Sequence, residues 1–161
     1  SNVHERIESF VKWCIEKNEG KPYMVGWVSE QENKMVNPQV AKFVAWSHEN
    51  KVRFIESEKI VYSRESWYAG TLDLILEMDG KKYIADVKTS SAIYPEFYLQ
   101  MAAYQGAMEE MNEHPDIAGA MVINLPKKGG LEIGMNYAYD DNRLAFLAAL
   151  VLYKQLNAIS K

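Results

Sequence analysis

Two aspartates and a lysine come together in a predicted β-hairpin, where their types and spacing could support metal-dependent chemistry. Asp79-Gly80 separates two apolar runs, and this dipeptide is typical of a two-residue type I′ turn. Counting outward along both strands from that turn places Asp73 directly opposite Asp86. Lys88 follows Asp86 by two residues and therefore shares its face of the hairpin.

Like charges directly across a ladder destabilise a hairpin, so Asp73 and Asp86 together require a compensating charge. A divalent cation held by both carboxylates would supply it, and oxygen ligands of this type suit Mg²⁺ or Mn²⁺. The alternative is an ordinary salt bridge between Asp73 and Lys88 on a solvated face. The hairpin alone leaves both interpretations open.

The hairpin residues on the opposite face are predicted to be buried. Strand alternation places seven side chains there, and apart from one tyrosine hydroxyl they are entirely apolar. They are Leu72, Leu74, Leu76, Met78, Tyr83, Ala85 and Val87. We therefore expect this face of the hairpin to pack against the core.

Hydrophobic periodicity and turn residues predict the elements that hold this hairpin in place. Helices are predicted over 3–17, from Pro38 to about 50, from Pro95 to about 112, and from Asp140 or Asp141 to about 158. Strands are predicted over about 52–62, 69–78, 81–88, 118–125 and 131–137. The stretch 20–38 has no sustained periodicity and is predicted to be a loop. The order αα-βββ-α-ββ-α indicates an α/β fold, with one central mixed β-sheet flanked by helices in a single domain over 1–161.

The composition excludes several classes of protein. Of the 161 residues, 48% are hydrophobic and 25% are charged, which is typical of a globular domain. The single cysteine, Cys14, excludes an internal disulfide, a cysteine-based zinc site and a four-cysteine iron–sulfur cluster. The net charge of −4 argues against a general basic coat for nucleic acid, but it leaves room for a local basic groove.

Membrane insertion and secretion are not expected. The longest apolar stretches, such as 144–152, fall short of the ~20 residues that a spanning helix requires. No charged segment followed by an apolar one opens the chain. We expect a soluble, cytoplasmic protein with no membrane partner, whose last helix carries an apolar face with Leu144, Leu147, Val151 and Leu152.

An ordered series of short motifs resembles the PD-(D/E)XK nuclease superfamily, specifically its RecB-type, phage exonuclease-like branch. The series is Gly70-Thr71-Leu72-Asp73, then Asp86-Val87-Lys88-Thr89, then Gln100 and Tyr104. The segment from His4 to Glu8 resembles the first motif of that branch, so the resemblance runs from residue 4 to about 105. Leu72 stands where the superfamily name has proline, and the iron–sulfur members are not matched because only Cys14 is available.

The resemblance implies a restriction-endonuclease-like fold and a role for each matched residue. Asp73 and Asp86 would hold Mg²⁺ or Mn²⁺, together with the backbone carbonyl of Val87 and the imidazole of His4. Lys88 would orient the attacking water or stabilise the charge that develops on the phosphate. Gln100 and Tyr104 lie four residues apart on one helix face, where they would position the DNA backbone or the lysine.

The residue types alone allow simpler interpretations for several of these positions. His4 falls in line with Ile7 and Val11, where a histidine is usually a satisfied interior residue. Gln100 and Tyr104 could be a buried tyrosine with an amide neighbour. Glu56 and Glu58 are two residues apart on a predicted strand and so point to the same face. One of them could add a carboxylate to the site, or both could lie on a solvated strand edge. The four tryptophans, Trp13, Trp27, Trp46 and Trp67, are predicted to lie in the core or at its rim, with Trp27 a candidate for contact with single-stranded DNA.

The predicted function is metal-dependent hydrolysis of DNA phosphodiester bonds. The resemblance favours an exonuclease that acts on double-stranded ends or single-stranded DNA during recombination, repair or phage DNA processing. This would take place in a bacterial cell or phage-infected host, with a recombination or replication protein as a possible partner. A catalytically silent nuclease-fold module for DNA binding or assembly is the alternative. Four questions stay open: exonuclease or endonuclease, DNA or RNA as the substrate, the polarity of cleavage, and the oligomeric state.

Overall fold

A five-stranded β-sheet forms the centre of the fold and separates two groups of helices. The structure is a computed structural model that describes residues 2–160. The helices are α1 (Val3–Lys17), α2 (Met24–Ser29), α3 (Pro38–Glu49), α4 (Glu96–Glu110) and α5 (Tyr139–Ser160). The strands are β1 (Arg53–Ser63), β2 (Tyr68–Met78), β3 (Lys81–Lys88), β4 (Ile117–Asn124) and β5 (Glu132–Asn136).

The strands lie in the sheet in the same order as in the chain, from β1 to β5. Neighbouring strands are antiparallel except for β3 and β4, which are parallel and are joined by the crossover helix α4. The predicted α/β fold with one mixed sheet flanked by helices is therefore confirmed.

Separate hydrophobic clusters cover the two faces of the sheet. Helices α1, α2 and α3 pack on one face, where the rings of Phe10, Trp27, Phe43 and Phe54 meet with centroids between 5.4 and 6.3 Å apart. Helix α4 covers the other face and packs Met101 and Met108 against it. A polar site in the middle of this sheet must therefore lie between two packed layers.

The predicted loop over 20–38 contains the short helix α2, which the sequence did not indicate. Trp27 is completely buried in it, with an edge-to-face contact to Phe10 and a hydrogen bond from its indole N–H to the Ser9 hydroxyl at 3.1 Å. Six residues are too few to show helical periodicity or to be stable alone, so tertiary burial is what forms this helix. The burial also removes Trp27 from any contact with single-stranded DNA.

Helix α5 begins at Tyr139, one residue before the earlier of the two predicted starting points. Its Phe146 packs edge-to-face on Tyr68 with ring centroids 5.0 Å apart, yet no residue of α5 is fully buried. Leu144, Val151 and Leu152 of its predicted apolar face are more than half exposed, because that face points away from the sheet. No helix within residues 2–160 has the length and apolar character needed to cross a membrane.

Candidate active site

The β2–β3 hairpin has the predicted turn and register. Asp79 and Gly80 both adopt positive φ angles, of 53° and 75°, as a type I′ turn requires. The pairing runs without a shift from Met78 and Lys81 to Leu74 and Ala85. One further step along both strands leads to Asp73 and Asp86, as expected.

The ladder stops at that point, so Asp73 and Asp86 are not a regular cross-strand pair. The Oδ2 atom of Asp73 instead accepts a hydrogen bond from the backbone N–H of Val87 at 3.0 Å. A carboxylate thus takes the place of a strand carbonyl, and the two strands form a fork around the charged residues. We call this region the β2–β3 fork, defined by Asp73 on one strand and Asp86 to Lys88 on the other.

Strand β1, which pairs with the other edge of β2, is also irregular beside Asp73. Glu58 on β1 has a φ of 52°, in the left-handed region, and the paired residues on either side of it are opposite Leu72 and Leu74. The regular alternation of side chains between the two faces of the sheet is broken in β2 beside this irregularity. Leu72 consequently packs with Ile75 in the α4 cluster, whereas Leu74 packs in the α1 to α3 cluster. The prediction that Leu72 and Leu74 share one face was therefore wrong.

Asp86 is a buried carboxylate beside a second carboxylate. It is only 7% exposed, and its burial together with the neighbouring Asp73 raises its pKa from 3.8 to about 7. Lys88 Nζ lies 3.0 Å from Asp86 Oδ2 and lowers the pKa, but it does not cancel the larger effects. This ion pair lacks hydrogen-bond alignment, so Asp86 Oδ2 has no hydrogen-bond partner among residues 2–160. Lys88 pairs with Asp86, rather than with Asp73 as the simpler interpretation of the sequence would have it.

The first helix brings His4 to the fork. Its Nε2 atom donates a hydrogen bond to the backbone carbonyl of Val87 at 2.8 Å. The two predicted metal ligands therefore contact each other, and binding one ion through both would require this hydrogen bond to give way. His4 and Val87 also line a small, partly open cavity together with Asp73.

The same cavity contains Glu58, and Glu8 lies on its α1 side. Burial raises the pKa of Glu58, and the Glu8 and Asp73 carboxylates raise it further. Glu56 is elsewhere, where it pairs with Lys59 at 3.2 Å and His114 at 3.1 Å. Of the two glutamates that could have added a carboxylate, Glu58 is the one beside the site.

Helix α4 supplies an aromatic wall that the sequence only partly revealed. The Tyr104 ring lies so close to Gly70 that a Cβ atom there would be 2.5 Å from Tyr104 Cε1. Burial raises the pKa of the Tyr104 hydroxyl, and the Asp86 and Asp73 carboxylates add to this. The first glycine and the last tyrosine of the motif series are thus in contact, while Gln100 is exposed on the same helix.

Phe97 was missed by the sequence analysis, although it holds the lysine. Lys88 Nζ lies 4.7 Å from the centre of the Phe97 ring, which is within cation–π distance. Phe97, Gln100 and Tyr104 are spaced three and four residues apart, so they share one stripe of α4. That spacing was the available signal, but a phenylalanine on a helix is ordinarily a core residue.

The oxygen atoms at the β2–β3 fork suit a bound divalent cation, whereas without one they leave two neighbouring carboxylates with too little compensating charge. Two neighbouring carboxylates, one with a buried oxygen that lacks a hydrogen bond, need positive charge to be ionised together. Carboxylate and carbonyl oxygens are preferred ligands of Mg²⁺ and Mn²⁺. Within residues 2–160, no three His, Cys, Asp or Glu side chains are gathered so as to hold a metal ion by themselves. An ion would therefore depend on the carboxylates, the Val87 carbonyl and water.

Comparison with known proteins agrees with this geometry. The model of the PD-(D/E)XK nuclease superfamily matches residues 3–160, which is nearly the whole chain. The chain therefore belongs to the PD-(D/E)XK nuclease superfamily, as the motif series predicted. Nucleases of this superfamily generally use divalent metal ions, typically Mg²⁺.

A solved structure with the same fold is that of a "putative exonuclease" from Eubacterium rectale. It is similar to this chain with a TM-score of 0.53 and 11% sequence identity. The match covers 93% of this chain but 64% of the other, so this chain spans less than two thirds of that protein. No curated protein matches this chain.

Proposed function

We propose that this chain is a Mg²⁺- or Mn²⁺-dependent nuclease that hydrolyses DNA phosphodiester bonds from DNA ends. The observation that carries the proposal is the β2–β3 fork, where Asp73, Asp86 and Lys88 meet in a member of a nuclease superfamily. The fork combines paired oxygen ligands with a half-buried cation, which is the combination that phosphodiester hydrolysis needs.

Each residue of the fork has a distinct task in this proposal. Asp73 and Asp86 hold the ion with the Val87 carbonyl, and His4 either joins them or fixes that carbonyl through its hydrogen bond. When bound, the ion polarises the scissile phosphate and lowers the pKa of a bound water. Lys88 is held between Asp86 and the Phe97 ring, so its ammonium group is positioned to orient the attacking water.

Gln100 and Tyr104 are proposed to position the substrate and the fork. Tyr104 packs on Gly70 and so holds the β2 strand close to α4. Gln100 is exposed on the same helix, where its amide can contact the DNA backbone. Neither side chain carries a carboxylate that could anchor the ion, and the proposed nucleophile is water, so their contribution is to geometry.

Two similarities to other proteins support the proposed preference for DNA ends. The motif series resembles the RecB-type, phage exonuclease-like branch, and the similar solved structure bears the description of an exonuclease. Recombination, repair or phage DNA processing is the proposed setting.

The test compares end-labelled linear DNA with the same DNA as a closed circle, each incubated with Mn²⁺. We expect steady release of label from the linear form and resistance of the circle. Rapid nicking of the circle would disprove the end preference while leaving a nuclease. Binding without any cleavage would instead favour the catalytically silent module.

A further inference from the structure

The outer half of the β1–β2 hairpin has one packed face and one bare face. On the packed side, Val61 and Leu72 belong to the α4 cluster. On the other side, Ile60 is 70% exposed and Tyr62 is 43% exposed. Their register partners on β2, Thr71 and Ala69, are exposed as well.

The tip of this hairpin carries Trp67, which is 80% exposed. The other three tryptophans lie in the core or at its edge, as predicted, so Trp67 is the exception to that prediction. Its φ of 55° lies in the left-handed region, which is strained for a large side chain. The chain thus accepts both backbone strain and an exposed indole at one residue.

The backbone of the tip is nevertheless held firmly. The Glu110 carboxylate of α4 accepts hydrogen bonds from the N–H groups of Arg64 and Glu65, at 3.0 and 3.2 Å. Lys154 of α5 donates a hydrogen bond to the Ser66 carbonyl at 2.7 Å. Two helices therefore fix the loop while leaving the Trp67 side chain bare. A rigid backbone that presents an exposed aromatic ring is typical of a binding site.

The bare face connects Trp67 with the β2–β3 fork. Because Leu72 points toward α4, alternation directs Thr71 to the opposite side of the strand. Asp73 lines a pocket on that side together with Ile7 of α1. Trp67 precedes Asp73 by six residues on the same chain segment, which corresponds to roughly 20 Å of strand. That distance spans about six base steps of DNA at ~3.4 Å per step.

The charges around Trp67 do not favour phosphate binding by themselves. Arg64 lies over the Tyr62 ring at 5.7 Å, and Lys154 is bound beside the turn. Glu65 and Glu110 offset these two cations. Any affinity for nucleic acid at this place must therefore come from stacking on the indole rather than from charge.

We propose that Trp67 stacks on a nucleobase of the DNA substrate about six steps from the bond that is cleaved. The bare face of the β1–β2 hairpin is then the path between that base and the fork. This inference rests on the proposed function, since it takes the DNA as the ligand. A protein partner on the same exposed surface is the competing occupant.

The test pairs a protein variant with a change in the DNA. Binding of fluorescent oligonucleotides is measured in metal-free buffer for wild type, Trp67→Ala and Trp67→Phe. We expect Trp67→Ala to weaken binding by about 5- to 150-fold, which corresponds to stacking worth about 1–3 kcal/mol. Trp67→Phe should retain most of the affinity, because a phenyl ring can still stack. The dependence of affinity on salt should be unchanged, because no phosphate contact is lost.

An abasic site moved along the oligonucleotide locates the stacked base. In wild type, one position four to eight steps from the cleaved bond is expected to weaken binding markedly, whereas in Trp67→Ala the same abasic site should have little further effect. Leu152→Ala, which removes another exposed apolar side chain, serves as the matched control and should bind like wild type.

Four outcomes would overturn the inference or its basis. Equal affinity of wild type and Trp67→Ala, or additive effects of the variant and the abasic site, would overturn the stacking. Unchanged DNA affinity with altered self-association in sedimentation would assign Trp67 to a protein interface. Wild type that binds these oligonucleotides but cleaves none with Mn²⁺ would contradict the proposed nuclease and leave the stacking result standing on its own.

Discussion

At Asp86, the requirements of folding and of metal binding oppose each other. Burial and the Asp73 carboxylate raise its pKa to about 7, so in the absence of metal the folded protein favours the protonated acid below about pH 7. A folded pKa above the unfolded value means that stability decreases as the pH rises from about 4 through about 7. A bound cation would offset this loss of stability by favouring the ionised form of Asp86.

Asp86→Asn should therefore stabilise the metal-free protein. At pH 8 in a chelator, we expect a gain of about 1–3 kcal/mol, with about 2–4 °C in Tm for each kcal/mol. Thermal denaturation measures the gain. Asp141→Asn changes an exposed aspartate and should stay within about 0.5 kcal/mol of wild type. A lower Tm for Asp86→Asn would contradict the strained-carboxylate interpretation.

Lys88 should matter for cleavage and not for metal binding. Its ammonium group is held by Asp86 and by the Phe97 ring, but it offers no ligand to a cation. We expect Lys88→Ala to bind Mn²⁺ and DNA while cleaving at least 10²–10³-fold more slowly. Steady-state cleavage of linear DNA measures this, with the exposed Lys127→Ala as control. Cleavage at more than about a tenth of the wild-type rate would remove Lys88 from the mechanism.

Among the secondary-structure elements, those with local signals were predictable and those formed by tertiary burial were not. Asp79-Gly80 specifies its turn within two residues, and the register of β2 and β3 follows from it. Helix α2 forms because Trp27 is buried against Phe10, which no local pattern indicates. The change of parity after Leu72 depends on the Glu58 irregularity, and a strict alternation of two residues cannot anticipate it.

The contact between β2 and α4 gives a prediction at the scale of elements. Gly70→Ala should destabilise the protein by about 1–3 kcal/mol, since its Cβ atom would overlap the Tyr104 ring. Tyr104→Ala removes that ring, so the double variant should be more stable than the sum of the single effects, with a coupling of about 0.5–3 kcal/mol. Chemical denaturation measures all three. Gly130→Ala meets no atom within 4 Å and is the control. Strict additivity would mean that the two residues do not contact.

For the whole molecule, the sequence was sufficient for the order of every element except α2, for the mixed sheet and for the superfamily. It was also sufficient to bring Asp73, Asp86 and Lys88 together, because their spacing and the turn are local information. It did not show that the ladder opens between the aspartates or that Phe97 holds the lysine. Nor did it show which apolar residues stay exposed, since Trp67 and Leu152 are of the same residue types as buried core residues. These features depend on how the two helical layers close on the sheet.

The central claim is that the β2–β3 fork binds a divalent cation through Asp73 and Asp86. Calorimetric titration of Mn²⁺ into wild type and Asp86→Ala tests it most directly, because it needs no assumption about the DNA substrate. We expect saturable binding by wild type and its loss in Asp86→Ala, since a single remaining carboxylate is a poor site for a hard cation. Equal Mn²⁺ binding by the two proteins would contradict the account.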